Sequence, residues 1–72
     1  MAESKQESLW TIKASDSVMR CILLHQTGFA ELQVFQDDTL AILERLPDAD
    51  AARAHADRLR ARLQARGWEK VG

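Results

Sequence analysis

Seventy-two residues allow one domain, close to the lower limit at which a single hydrophobic core suffices without staples, and no large active-site cleft inside one copy. One cysteine excludes an internal disulfide framework and fits a reducing, cytoplasmic setting. The net charge of −1 hides an asymmetry: residues 1–50 carry four basic and nine acidic side chains, residues 51–72 six basic and two acidic. That balance argues against broad nucleic-acid coating. It leaves room for an acidic sheet neutralised by a basic helix, for pairing between copies, or for an anion on the helix side.

The opening MAESKQES has no apolar stretch of a secretory signal, and no run approaches a transmembrane length, so no membrane association is expected. Residues 1–8 read as a disordered tail before a single domain over 9–72. Residues 9–14, LWTIKA, alternate with Trp10, Ile12 and Ala14 on one side and Leu9, Thr11 and Lys13 on the other, the period of a half-buried strand. Ser15-Asp16-Ser17 is a turn cluster. A second strand covers 18–26 and turns at Thr27-Gly28; a third covers 29–36, and a fourth 39–46 after Asp37-Asp38.

The register of the last hairpin involves a conflict. A two-residue Asp37-Asp38 loop places Glu31 opposite Glu44, a like-charge pair. A three-residue loop places Glu31 opposite Arg45 and Val34 opposite Ile42, but forces the β-branched Thr39 toward a left-handed conformation. The two-residue loop is expected.

The middle strands are apolar on both faces. Met19, Cys21 and Leu23 oppose Ile22 and Leu24; Ala30, Leu32 and Val34 oppose Phe29 and Phe35; Leu40, Ile42 and Leu46 oppose Ala41 and Leu43. One helix covers one face of such a sheet, so the other should expose an apolar patch, usually the mark of an interface. Its candidate residues are Ile22, Leu24, Phe29, Phe35 and Leu43.

Pro47 ends the fourth strand, and Asp48 is positioned to cap the helix predicted over 48–68. Ala52, Ala56, Leu59 and Leu63 fall on one stripe, the face expected to bury. Gly67 supplies a left-handed closing residue, with Leu63 and Trp68 as the hydrophobic pair of a Schellman motif. Ala54, Ala61 and Ala65 make a second, small-residue stripe that reflects helix propensity or admits a second helix. Arg58, Arg62 and Arg66, four apart, form a ridge beside the buried stripe, read first as a solvated edge. With Lys70 in support, the ridge is also a candidate strip for phosphates or an acidic partner.

The expected fold class is therefore α+β: a four-stranded antiparallel meander followed by one C-terminal helix packed on one sheet face, ββββα. Its chemistry is sparse. Cys21 and His25 share a strand face but lie about 13 Å apart along it, too far to hold one metal. His55 sits at the edge of the helix stripe. The three glycines, at 28, 67 and 72, are isolated, so no phosphate loop is formed. Asp37-Asp38 reads as a solvated turn. Lys13, Arg20 and Arg45 are offset by Asp16, Glu31 and Glu44, a poor platform for single strands among aromatics. No catalytic group, metal or cofactor is expected.

Four meandering strands before one long helix resemble, at fold level, the PC4-like single-stranded DNA-binding proteins, which dimerise in forming their binding surface. The glycine- and lysine-rich strands of that group are absent, and no binding residue carries over. The stretch LRARLQARGW at 59–68 resembles the end of short bacterial reading frames in which a small sheet precedes a helix ending in Gly-Trp; this implies a bacterial or phage-like source and no activity. The reading that follows is a non-enzymatic interaction module, homodimeric through the uncovered sheet face or the alanine stripe, that binds or regulates another protein. The alternatives are nucleic-acid binding through Arg58, Arg62, Arg66 and Lys70, and a mobile-element inhibitor whose acidic side mimics nucleic acid.

Overall fold

A computed structural model describes residues 5–71. The chain is α+β: β1 (Lys5–Ala14), β2 (Ser17–Gln26), β3 (Phe29–Gln36) and β4 (Thr39–Leu46) form an antiparallel meander, α1 (Ala49–Gln64) packs across it, and a short β5 (Glu69–Lys70) follows. The strand order is β4-β3-β2-β1-β5, so the last two residues of sheet return to pair with β1 at Ile12 and Lys13. This fifth strand was not expected from the sequence, because two residues, Glu69 and Lys70, carry no strand period.

Residues 5–8, expected to belong to a disordered tail, lie in the sheet. β1 begins at Lys5, with Lys5 opposite His25 and Ser8 opposite Ile22, so residues 5–8 belong to the sheet; residues 1–4 lie outside the described part. KQES is polar and looks like tail, yet its backbone can pair with β2 because β2 extends that far. A β-bulge between Ser8 and Trp10 skips Leu9, and Leu9 packs against the core rather than sharing the far side with Thr11. One extra residue reverses the alternation upstream of it.

The β3–β4 hairpin resolves its own conflict. Gln36 is opposite Thr39, so the loop is the two residues Asp37 and Asp38, with φ of 50° and 68°, the left-handed pair a type I′ turn requires. Yet Glu31 is opposite Arg45 and Val34 opposite Ile42, because the register shifts between Val34 and Phe35. The bulge absorbs Ala41, and the strand keeps both the tight turn and the favourable charge pairing. Leu40 consequently pairs with Phe35 instead of joining Ile42 and Leu46 on the helix side. Asp37 is held in place from β2: its Oδ1 accepts the Val18 amide at 2.9 Å, its Oδ2 accepts the Ser17 hydroxyl at 3.0 Å, and its own amide donates to the Val18 carbonyl at 2.9 Å.

The helix-facing side carries the core. Ile12, Cys21, Leu23, Leu32 and Val34 are fully buried, with Trp10, Met19 and Ala30 close behind; each large aliphatic side chain removed from water contributes about 1.5–3 kcal/mol. Ala52 and Ala56 of α1 are buried against them, and Leu59, Leu63 and Trp68 pack on the rim. The indole N–H of Trp10 donates to the Ala56 carbonyl at 3.1 Å, tying sheet to helix. Asp48 caps the helix, its Oδ1 accepting the Ala51 amide at 2.8 Å. At the other end Gly67 has φ 106°, the Trp68 amide donates to the Leu63 carbonyl at 3.1 Å, and the Gly67 amide to the Gln64 carbonyl at 3.1 Å. Those two bonds make a Schellman motif.

Candidate functional site

Opposing residues of antiparallel strands share a face, so the register assigns the side of the sheet away from α1. Three rows cross β2, β3 and β4: Leu24, Glu31 and Arg45; Ile22, Gln33 and Leu43; Arg20, Phe35 and Leu40, with Phe29 opposite Gln26 at one end. On β1 the same face carries Gln6, Ser8, Thr11 and Lys13, opposite Leu24, Ile22, Arg20 and Val18. The face is therefore divided: Leu24, Ile22, Leu43, Phe35 and Leu40 lie among Glu31, Gln33, Arg20 and Arg45 across β2 to β4, and β1 is polar. All five residues read from the sequence, Ile22, Leu24, Phe29, Phe35 and Leu43, fall on this one face.

Their exposure differs in a way that matters. Ile22, Leu24, Phe29 and Phe35 are half-buried by their neighbours, whereas Leu43 is 53% exposed and Leu40 45%. The Arg45 guanidinium lies 4.9 Å from the centre of the Phe29 ring, a cation–π contact that shields one aromatic. Arg20 reaches Asp38 at 2.9 Å, which draws its charge to the margin. Val18, 40% exposed, and Leu40 extend the patch beyond the residues expected. Val18 was legible, being in alternation with Arg20 and Ile22; Leu40 was not, since only the bulge at Ala41 moves it.

On the helix side, Glu7, His25 and Arg53 meet at a shallow cleft of about 360 Å³ lined also by Lys5 and Gln6. Arg53 donates to both Glu7 oxygens, at 2.9 and 3.3 Å, and His25 Nε2 lies 3.3 Å from Glu7 Oε1. Hydrogen bonds from Arg53, then His25, hold the Glu7 carboxyl below its ordinary range. The carboxylate is thus already engaged, and the cluster ties β1, β2 and α1 together. Cys21 is enclosed, and burial pushes its thiol up to about 12, the property of an inert core group. Among the described residues no group of histidine, cysteine or carboxylate side chains converges to hold a metal ion.

No family model, curated protein or solved structure matches the chain.

The basic residues divide between the flanks of α1. Of the six after residue 50, Arg53 reaches the sheet at Glu7, and Arg60 pairs within the helix with Asp57 at 3.6 Å. Arg58, Arg62, Arg66 and Lys70 are exposed and make no ion pair among the described residues. An acidic sheet neutralised by the helix accounts for one arginine, not for the ridge. Lys70, opposite Ile12 of β1, stands at the β1 edge, whereas His55, on the same side of the helix as the ridge, reaches Glu44 of β4 at 3.0 Å. Arg58 and Arg62 lie on α1, whereas Arg66 is in the turn that follows it and Lys70 is in β5. No helix among the described residues is long and apolar enough to cross a membrane.

Proposed function

We propose that this chain is a non-enzymatic interaction module that forms a homodimer through the sheet face away from α1, and in that form binds or regulates another protein. The observation that carries the reading is the convergence of Ile22, Leu24, Phe29, Phe35 and Leu43 on a face with no element of the described residues over it. The occupant proposed is a second copy. Glu31 and Arg45 sit opposite each other within the face, and a two-fold contact would bring the same apolar side chains of both copies together.

Light scattering after size exclusion, at low and high salt, tests this. A dimer that persists in high salt is expected, since the contact is apolar. The exposed substitution Leu43→Glu should shift the mass toward monomer while leaving the far-ultraviolet circular dichroism unchanged. A wild-type monomer at all concentrations, or a dimer indifferent to Leu43→Glu and to Ile22→Glu, refutes the proposed face.

A further inference from the structure

Gln33 stands in the middle of the sheet face away from α1, between Ile22 on β2 and Leu43 on β4. It is half-buried, and among the described residues its side-chain amide has no hydrogen-bond partner. An amide open to water is satisfied there; covered by an apolar surface it is orphaned, at the full cost of its desolvation. Whatever covers this face must therefore bring an acceptor and a donor to this one place. A second copy does so when a two-fold axis passes beside Gln33, because an isologous contact sets an axial residue against itself. A primary amide is its own complement: the N–H of each donates to the oxygen of the other.

The charges on the face choose the direction of that axis. Glu31, Gln33 and Phe35 alternate on this side of β3, so an axis along β3 sets Glu31 against the partner's Glu31. The diagonal from Leu24 to Leu40 sets Arg45 against the partner's Arg20, and the other diagonal sets each of those arginines against itself. The row Ile22–Gln33–Leu43 carries no charge. An axis along it sets Ile22 and Leu43 each against its own counterpart and exchanges the rows on either side. Glu31 then faces the partner's Phe35, Arg45 the partner's Leu40, and Leu24 the partner's Arg20, so no like charges are superposed.

We propose that Gln33 is the specificity-determining residue of the dimer: the two-fold axis runs along the row Ile22–Gln33–Leu43, and the two Gln33 amides pair across it. The inference rests on the dimer face proposed above and adds what selects a second copy over another apolar partner. A polar pair at the centre of an apolar contact fixes register and partner at a cost in affinity.

Charge swapping at residue 33, read by sedimentation equilibrium of the full chain, tests the proposal. Gln33→Glu and Gln33→Lys each set like charges together on the axis, so each should dimerise about tenfold or more weakly than wild type. Mixed in equal amounts, the two should recover dimer, because only a residue on the axis meets its own counterpart. Leu24→Glu mixed with Leu24→Lys, off the axis, should gain nothing. Gln33→Leu, which introduces no charge, should pair with itself and avoid the wild type, since the mixed contact leaves one amide without a partner. Circular dichroism checks that each variant folds. A Glu/Lys mixture that stays monomeric while the wild type is a dimer overturns the axis and leaves the face standing. So does free mixing of Gln33→Leu with the wild type, or dimerisation of both charged variants at wild-type strength. A wild-type monomer overturns the dimer reading, and this inference with it.

Discussion

Trp10 ties the sheet to the helix both by packing and by a hydrogen bond. It is 5% exposed, fills the space between β1 and α1, and its indole N–H is bonded to the Ala56 carbonyl. Replacing it with Phe removes that bond and some volume, and should lower stability by about 2 kcal/mol in urea denaturation; a change within error means the bond is replaced by water without cost. Gly67 is the converse case, important for what it lacks. A Cβ there meets nothing within 4 Å, but φ is 106°, so Gly67→Ala should cost about 1–2 kcal/mol through backbone strain alone. If thermal denaturation of Gly67→Ala matches the wild type, the closing turn is not left-handed in solution. Cys21, Trp10 and Gly67 were all legible from their neighbours in sequence, because alternation, aromatic size and a Gly after a helical stripe are local signals.

At the scale of elements the β3–β4 hairpin shows where local signals run out. The turn asks for two residues and the charges ask for a three-residue register, and both are satisfied by spending Ala41 on a bulge. Nothing in a stretch such as TLAIL announces a bulge; it is the outcome of competition between turn geometry and cross-strand pairing over the whole hairpin. Deleting Ala41 should therefore leave a hairpin of regular register with Glu31 still opposite Arg45, and the chain should fold with a Tm within a few degrees of wild type. An unfolded deletion variant means the bulge supplies twist that the core requires. The helix was the most legible element, since its cap, stripe and closing motif are all written within twenty residues. The bulge that turns Leu9 inward and the return of β5 onto β1 were not, as both depend on partners far along the chain.

For the molecule as a whole, Glu7 joins the sheet to the helix through Arg53, as Glu44 does through His55. Arg53 and His25 hold its carboxyl below the ordinary value of 4.5. A folded-state value below the unfolded one means the stabilisation is present above the unfolded value and is lost as pH falls through the folded one. Glu7→Gln should lower Tm slightly at neutral pH, since the group is open to solvent, and the difference from wild type should vanish in acid. A gap that stays constant from neutral pH into acid assigns Glu7 a packing role instead.

The sequence by itself determined the ββββα order, the cap and closing turn of the helix, and which apolar residues of the central strands share a face. These follow from periods of two and 3.6 and from turn chemistry, which act over a few residues. Tertiary structure alone decided the registers at the two bulges, the start of β1 at Lys5, and the placing of Leu40 on the patch. It also decided that His55 of the helix meets Glu44 of β4 while Lys70 stands at the β1 edge. Those outcomes depend on which strand a segment meets, and the free energy of pairing at a distance is not carried by any one stretch of the chain.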